Sequence, residues 1–320
     1  MSLPLIAGSP KKMLPGVNVL NNQDHNNNVK KAIIASVASE CVWGLSFMAT
    51  KVALGHTAPH MLLSLRFMIS FLIMAMLAIA GVGKIELKGK PVGLFVLMGL
   101  CEPVIYFIAE TNGIKYTTSS FSGLMISVIP LITVLLSAVL LHEHLSVKRF
   151  FWILVSVSGV ILISLDNSSE GVITLKGVLY LLVAVTSAAF YTILSRSISD
   201  KFSAFERTFV MMLMGFIAFT GSALVHEGAG YGAALLSAVQ NRYVILPVLF
   251  LSVICSVCAF FCLNYSMTYL EVSRAAVFAN IVPVVSVTAG VLILGEPFSF
   301  VIVIGIVLIL TGLYMVNRIG

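Results

Sequence analysis

The sequence predicts an all-α polytopic membrane protein of ten transmembrane helices in two inverted five-helix repeats, and three observations predict it. Of 320 residues, 59% are hydrophobic and only 10% charged, with mean hydropathy +1.06. A soluble domain carries roughly 25% charged residues, and so little polar cover could not face water on all sides. From Lys30 onward, apolar segments of about 18 to 25 residues alternate with short polar breaks, the length that crossing a hydrocarbon core demands. Finally, a stretch of the first half returns in the second half at one fixed offset.

The elements follow in chain order. Residues 1–29 carry no sustained apolar run: Asn21 to Asn28 reads NNQDHNNN, with Lys11 and Lys12 upstream. The stretch lacks the apolar core and cleavage site of a signal peptide and is expected to be a disordered cytoplasmic tail. Spans are expected near 31–54, 60–82, 91–113, 119–141, 149–166, 175–197, 205–226, 243–270, 273–294 and 298–317. A first repeat over 30–168 and a second over 169–320 hold five spans each.

Orientation follows from Lys and Arg, which concentrate on the cytoplasmic side of membrane proteins. With the N-terminus inside, that side holds Lys11, Lys12, Lys30, Lys31, Lys84, Lys88, Lys90, Lys148, Arg149, Arg196, Lys201, Arg207, Arg274 and Arg318. The other side holds Lys115, Lys176 and Arg242, with Lys51 and Arg66 near the outer ends of spans 1 and 2, where both are expected to reach the headgroups. Both termini are therefore expected in the cytoplasm. The net charge of +6 is spread in ones and twos, without the basic stripe that nucleic-acid binding needs. Cys41, Cys101, Cys255, Cys258 and Cys262 lie inside apolar runs, so the C-x-x-C at 255–258 is expected to pack one helix face.

The repeat is read between YTTSSFSGLMISVIPLITVLLSAVLLHEHLS from Tyr116 and YLEVSRAAVFANIVPVVSVTAGVLILGEPFS from Tyr269. An offset of 153 aligns Tyr116 with Tyr269, Ser120 with Ser273, Pro130 with Pro283, Glu143 with Glu296, Ser146 with Ser299 and Gly159 with Gly312. Five spans is an odd number, so the halves must cross in opposite directions, with a binding site expected near the midplane between them.

Trp43-Gly44 with Phe47 and Lys51, Arg66-Phe67, and a mid-span Pro followed by a closing Glu (Gly295-Glu296-Pro297 in the second half) resemble the EamA-like branch of the drug/metabolite transporter superfamily. The resemblance covers residues 30 to 318. It implies a ten-helix carrier of the cytoplasmic membrane that exports amino acids, metabolites or drugs. His142-Glu143-His144 departs from the Gly-Glu-Pro pattern in the first half. With His142 and His144 two residues apart and on different helix faces, no metal site is expected there.

Charges at membrane depth are costly and by default face a cavity or a partner. Glu40, Trp43, Phe47 and Lys51 recur at helical spacing on span 1, and Glu102, Tyr106 and Glu110 on span 3. These two stripes are expected to line one cavity, with Glu40 and Glu102 either carrying a proton or a substrate amine or, as neutral hydrogen-bonded acids, fixing two helices together. Pro130 and Pro283 free the carbonyls of Ile126 and Ala279 and are expected as hinges, with Ser127 and Asn280 beside them as site residues. Asn264 is a further candidate. Glu143 and Glu296 are expected to cap loops, and Gly123, Ser137, Ala276 and Gly290 to permit close helix packing.

No phosphate-binding loop and no nucleophile or zinc motif is present in the sequence, so neither a cofactor nor an enzymatic reaction is expected. The expected protein is a secondary transporter in a lipid bilayer, with a small-molecule substrate and a proton as coupling ion; a homo-oligomer is compatible with the sequence. A passive facilitator, an uptake permease of the same fold and a membrane-embedded lipid-handling enzyme are the competing readings.

Overall fold

A computed structural model describes residues 19–86, 90, 92–140, 146–165, 173–198, 201–269, 278 and 281–319. Those residues form helices and short turns, with no strand among them. Helix α1 is Val19–Leu54 and α2 is Pro59–Ile79. Helix α3, Val92–Lys115, crosses as one unit through a wide turn at Leu100–Ile105. Helix α4 covers 119–140 in two pieces, Ser119–Ile126 and Ile129–Leu140. Helices α5 (Val147–Ser164), α6 (Leu175–Ile198) and α7 (Ala204–Glu227) follow. A short α8, Tyr231–Gln240, leads into α9 over 242–269, and α10 (Ile281–Leu294) and α11 (Phe300–Ile319) complete the order.

Apart from the short α8, the described residues make ten crossings, as expected. Seven described stretches are long and apolar enough to span a bilayer by themselves, and Ile281–Leu294 and Phe300–Val316 are shorter apolar helices. One boundary differs. Helix α1 begins at Val19 and runs through the Asn-rich stretch, because extending an existing helix adds a hydrogen bond per residue without a new nucleation cost; its apolar part is Asn27–Leu54. Residues 1–18 of the expected tail lie outside the described residues. Ile79, Val225, Leu292 and Phe300 are each more than three-quarters exposed. Together with the many other exposed apolar side chains of these helices, they give the bundle an apolar outer surface suited to hydrocarbon.

The packing is symmetric under exchange of the halves. If α1–α5 map onto α6, α7, α9, α10 and α11, every principal pairing maps onto another. Helices α2 with α7, α4 with α10, and α5 with α11 are self-paired. The pair α1–α9 mirrors α6–α3, α1–α10 mirrors α6–α4, and α2–α9 mirrors α7–α3. The wide turns agree too: shifting Leu100–Ile105 by 153 places it within Phe250–Cys258, a π-helical segment of α9.

Glycines set the closest approaches. A Cβ on Gly44 would sit 2.5 Å from Val285, and one on Gly123 would sit 1.9 Å from Ser286 Oγ, so α10 lies directly on both α1 and α4. Gly159 and Gly305 do the same for α5 and α11. Gly123 and Gly290 thus serve the packing role expected of them; the Ser137 side chain and Ala276 lie outside the described residues. The cysteines do not share one face: Cys255 is buried and Cys258 exposed, because the wide π turn at 250–258 rotates the spacing away from the α-helical period. At the centre, Phe67, Phe107, Phe219, Phe260 and Trp43 form a continuous knot of rings, with centroids 4.8 to 6.3 Å apart, joining α1, α2, α3, α7 and α9.

Candidate functional site

Beside that knot lies a buried cluster of charged side chains. Glu102 stands at the wide turn of α3, where its backbone leaves the helix (φ −142, ψ 118). The following Pro103 causes this: its ring disfavours helical geometry in the preceding residue and removes a backbone donor. The expected unbroken stripe therefore needs correction. Glu102 sits on an extended residue, and only Tyr106 and Glu110 keep helical spacing. Those two bond each other, Tyr106 Oη donating to Glu110 Oε1 at 3.0 Å. Glu110 Oε2 is buried and without a hydrogen-bond partner among the described residues.

Arg66 is the residue that sequence reasoning misplaced. It does not reach a headgroup layer but is 2% exposed, inside the bundle. Its Nε donates to Ser256 Oγ at 2.9 Å, joining α2 in one half to α9 in the other. Its guanidinium lies 4.3 Å from the ring centroid of Phe107, a cation–π contact that fixes the plane. Glu110 and Glu102 are both within its electrostatic reach, yet no N–O contact of 4 Å or less joins Arg66 to either acid. The bonds on Ser256 and Phe107 hold it away from them. Ser70 completes the floor, donating to the carbonyls of Arg66 (2.7 Å) and Ser252 (3.1 Å).

The other expected site residues are more scattered. Trp43 donates from Nε1 to the Cys255 carbonyl (3.1 Å) and meets Phe260 edge-on, so it borders the cluster. Glu40 is buried, with no hydrogen bond and no charged neighbour among the described residues; it stands apart from Glu102. Phe47 fills the contact between α1, Ile114 of α3 and Val282 of α10 rather than a cavity. Ser127 gives its hydroxyl to the Leu124 carbonyl at 2.7 Å. It marks the break in α4 that Pro130 was expected to cause, since the two pieces separate at Ser127–Val128. Pro283 lies in the first turn of described α10, and Asn280 lies outside the described residues, as does Glu143. Asn264 is buried near the opposite end: its Nδ2 donates to Thr208 Oγ1 (2.9 Å) and its backbone carbonyl accepts from Arg207 Nη2 (2.9 Å).

The two ends of the bundle are fastened by different devices. At one end, Ser119 and Ser120 donate backbone N–H groups to Glu296 Oε1 (2.6 Å) and Oε2 (2.9 Å), and the Ser120 hydroxyl donates as well. A carboxylate is well placed on the positive N-terminus of a helix. Gly295, at φ 65, supplies the left-handed turn that ends α10 and delivers Glu296 to this position. Lys51 does not snorkel: its Nζ donates to the carbonyls of Ile114 (2.9 Å) and Thr117, tying α1 to the last turn of α3. At the other end, Glu206 completes a capping box with Ser203 and accepts from Lys90 Nζ (2.7 Å) and Glu86 N–H (2.9 Å).

Ten crossings in exchange-related halves, enclosing charged side chains where the halves meet, define a polytopic α-helical membrane transporter. The model of the EamA-like transporter family matches the chain twice, over residues 30–165 and 175–318, and the chain belongs to that family. It is 29% identical to "Uncharacterized transporter YcxC" of Bacillus subtilis, over 88% of this chain and 91% of that one. A Salmonella typhimurium protein named "Probable amino-acid metabolite efflux pump" is 27% identical, over 86% of this chain and 90% of its own. One solved structure superposes with a TM-score of 0.58 at 20% identity, over 90% of this chain and 99% of that one, a likeness of fold.

Proposed function

We propose that this protein is a secondary transporter that exports small amphipathic metabolites, amino acids or related compounds, across a bacterial cytoplasmic membrane by alternating access. One observation carries the reading: Glu102, Glu110 and Arg66 are enclosed inside the bundle where α2 and α3 of one half meet α9 of the other. Ionisable groups are kept inside a membrane bundle for solutes or protons rather than for stability. The name of the Salmonella typhimurium relative supports the choice of substrate class and direction. The excess of Lys and Arg in one set of loops supports cytoplasmic termini, and with them an outward-facing end fastened by Glu296.

In this reading the broken helix at Glu102 serves as the centre of the site. A carboxyl on a non-helical residue can exchange a proton or hold an ammonium without unwinding further backbone. The interruption of α4 at Ser127–Val128, just ahead of Pro130, serves as a hinge, with Pro283 as its counterpart in α10. Glu40, Trp43, Tyr106 and Ser127 border the path.

The test is counterflow of labelled amino acids in proteoliposomes at several pH values. Saturable exchange is expected from the wild type, and Glu102→Gln is expected to lower it at least tenfold or abolish its pH dependence. Unchanged rate and pH profile in that variant remove Glu102 from the coupling role. Flux linear in concentration favours a passive facilitator instead, and accumulation against a gradient into right-side-out vesicles favours an uptake permease.

A further inference from the structure

We propose that Arg66 and Glu110 form a two-point clamp for a zwitterion, Arg66 taking the carboxylate and Glu110 the ammonium of one α-amino acid; this rests on the transporter reading above and assigns its recognition groups. Each of the two groups leaves hydrogen-bonding capacity unused. Arg66 carries five N–H donors, and only Nε is hydrogen-bonded among the described residues, to Ser256. Its terminal nitrogens form the flat fork that matches a carboxylate with two parallel bonds. The fork is held in plane by Phe107 at 4.3 Å and anchored on α9, so its orientation is set before any solute arrives.

Glu110 shows the complementary vacancy. One carboxyl oxygen accepts from Tyr106 Oη; the other is buried with no partner among the described residues. A buried polar atom without a partner loses its hydration with nothing in return, and native proteins rarely tolerate one without a use. A direct Arg66–Glu110 ion pair would relieve both groups at once, yet the two are kept apart. Each is pinned by a neutral partner, Ser256 and Phe107 for the cation and Tyr106 for the acid. A molecule that brings one charge of each sign would satisfy both groups at once.

The charges also decide the solute class. A solute with only an amine would satisfy Glu110 and leave Arg66 unpaired in a dry interior, and a simple carboxylate would do the reverse. Either leaves a buried charge uncompensated, the costly arrangement. A zwitterion settles both with no net charge added. The cluster spans α2, α3 and α9, so occupation would bridge the two halves, which is where a carrier must sense its load.

The test uses the purified full-length protein in lipid nanodiscs and reads thermal stabilisation by the twenty amino acids. For the strongest stabiliser, it then reads its amide, its des-amino acid and its decarboxylated amine. The amino acid is expected to raise Tm and the three analogues to bind at least thirtyfold more weakly. Arg66→Lys, which keeps the charge but loses the fork, is expected to weaken amino-acid binding at least tenfold and shrink the acid-to-amide preference. Glu110→Gln is expected to shrink the preference for the amino acid over its des-amino analogue while leaving the acid-to-amide ratio in place. A general loss of structure would lower Tm without moving these ratios. Comparable binding of the amine or the amide to the wild type, or unchanged ratios in both variants, overturns the clamp while leaving the transporter reading intact. Absence of stabilisation by any amino acid overturns the clamp, and absence of saturable counterflow overturns the transporter reading itself.

Discussion

Ser256 is a small residue on which a buried charge depends, because its hydroxyl is the one hydrogen-bond partner of the Arg66 side chain among the described residues. A hydrogen bond to a charged group contributes about 1.5–3 kcal/mol. Ser256→Ala is therefore expected to lower thermal stability by an amount in that range and to raise the half-saturating solute concentration, checked by Tm and counterflow on the same preparation. Ser256→Thr, which keeps the hydroxyl, is expected to recover most of the loss. Glu102 and Arg66 show how differently two charges can read from sequence. Glu102 is legible because an acid in mid-span has few other uses. Arg66 lies seven residues from the start of α2, where a long basic side chain ordinarily reaches the headgroups. Its inward course depends on Ser256, 190 residues away, and no local pattern carries that. The break in the stripe on α3 did have a local signal, Pro103 directly after Glu102.

Among elements, the junction of α4 with α10 is the most demanding. Gly123 admits Ser286 at a distance that no Cβ could share, so Gly123→Val must push the helices apart. Overpacking of this kind costs about 1–3 kcal/mol; lower Tm and loss of counterflow are expected, while the exposed Gly93→Ala, with open space at its Cβ, is expected to be silent. The same two helices are fastened by Glu296 on the first N–H groups of α4. Glu296→Gln removes the charge and one of two acceptor oxygens. It is expected to raise the rate at which an impermeant maleimide added from outside labels a Ser286→Cys reporter in a cysteine-free background. An unchanged rate shows that the contact does not gate that end. Glu296 as a cap was legible from Gly295-Glu296-Pro297, because a left-handed Gly ends a helix and Pro prevents its resumption. Its partner on α4 was not legible, since which helix end meets it is a matter of bundle packing.

For the whole molecule, the exchange symmetry makes a topological prediction. With five crossings per half, the two termini share one side and the connection near 166–172 lies on the other. A C-terminal fluorescent fusion is expected to be bright, and an alkaline phosphatase fused after Asp166 to be active; the opposite pair of outcomes reverses the orientation. The sequence by itself determined the membrane class, the number of crossings and the repeat. Hydropathy is a sum over local residues, and a fixed offset survives without knowledge of contacts. The tertiary structure decided which polar residues meet. It buried Arg66, separated Glu40 from Glu102, turned Ser127 onto its own helix and set Asn264 against Thr208. Such pairings depend on helix rotation and on wide turns like those at 100–105 and 250–258, which shift every later side chain to a new face. Depth in the membrane can be counted along one chain. Direction within the bundle is settled only by the neighbours.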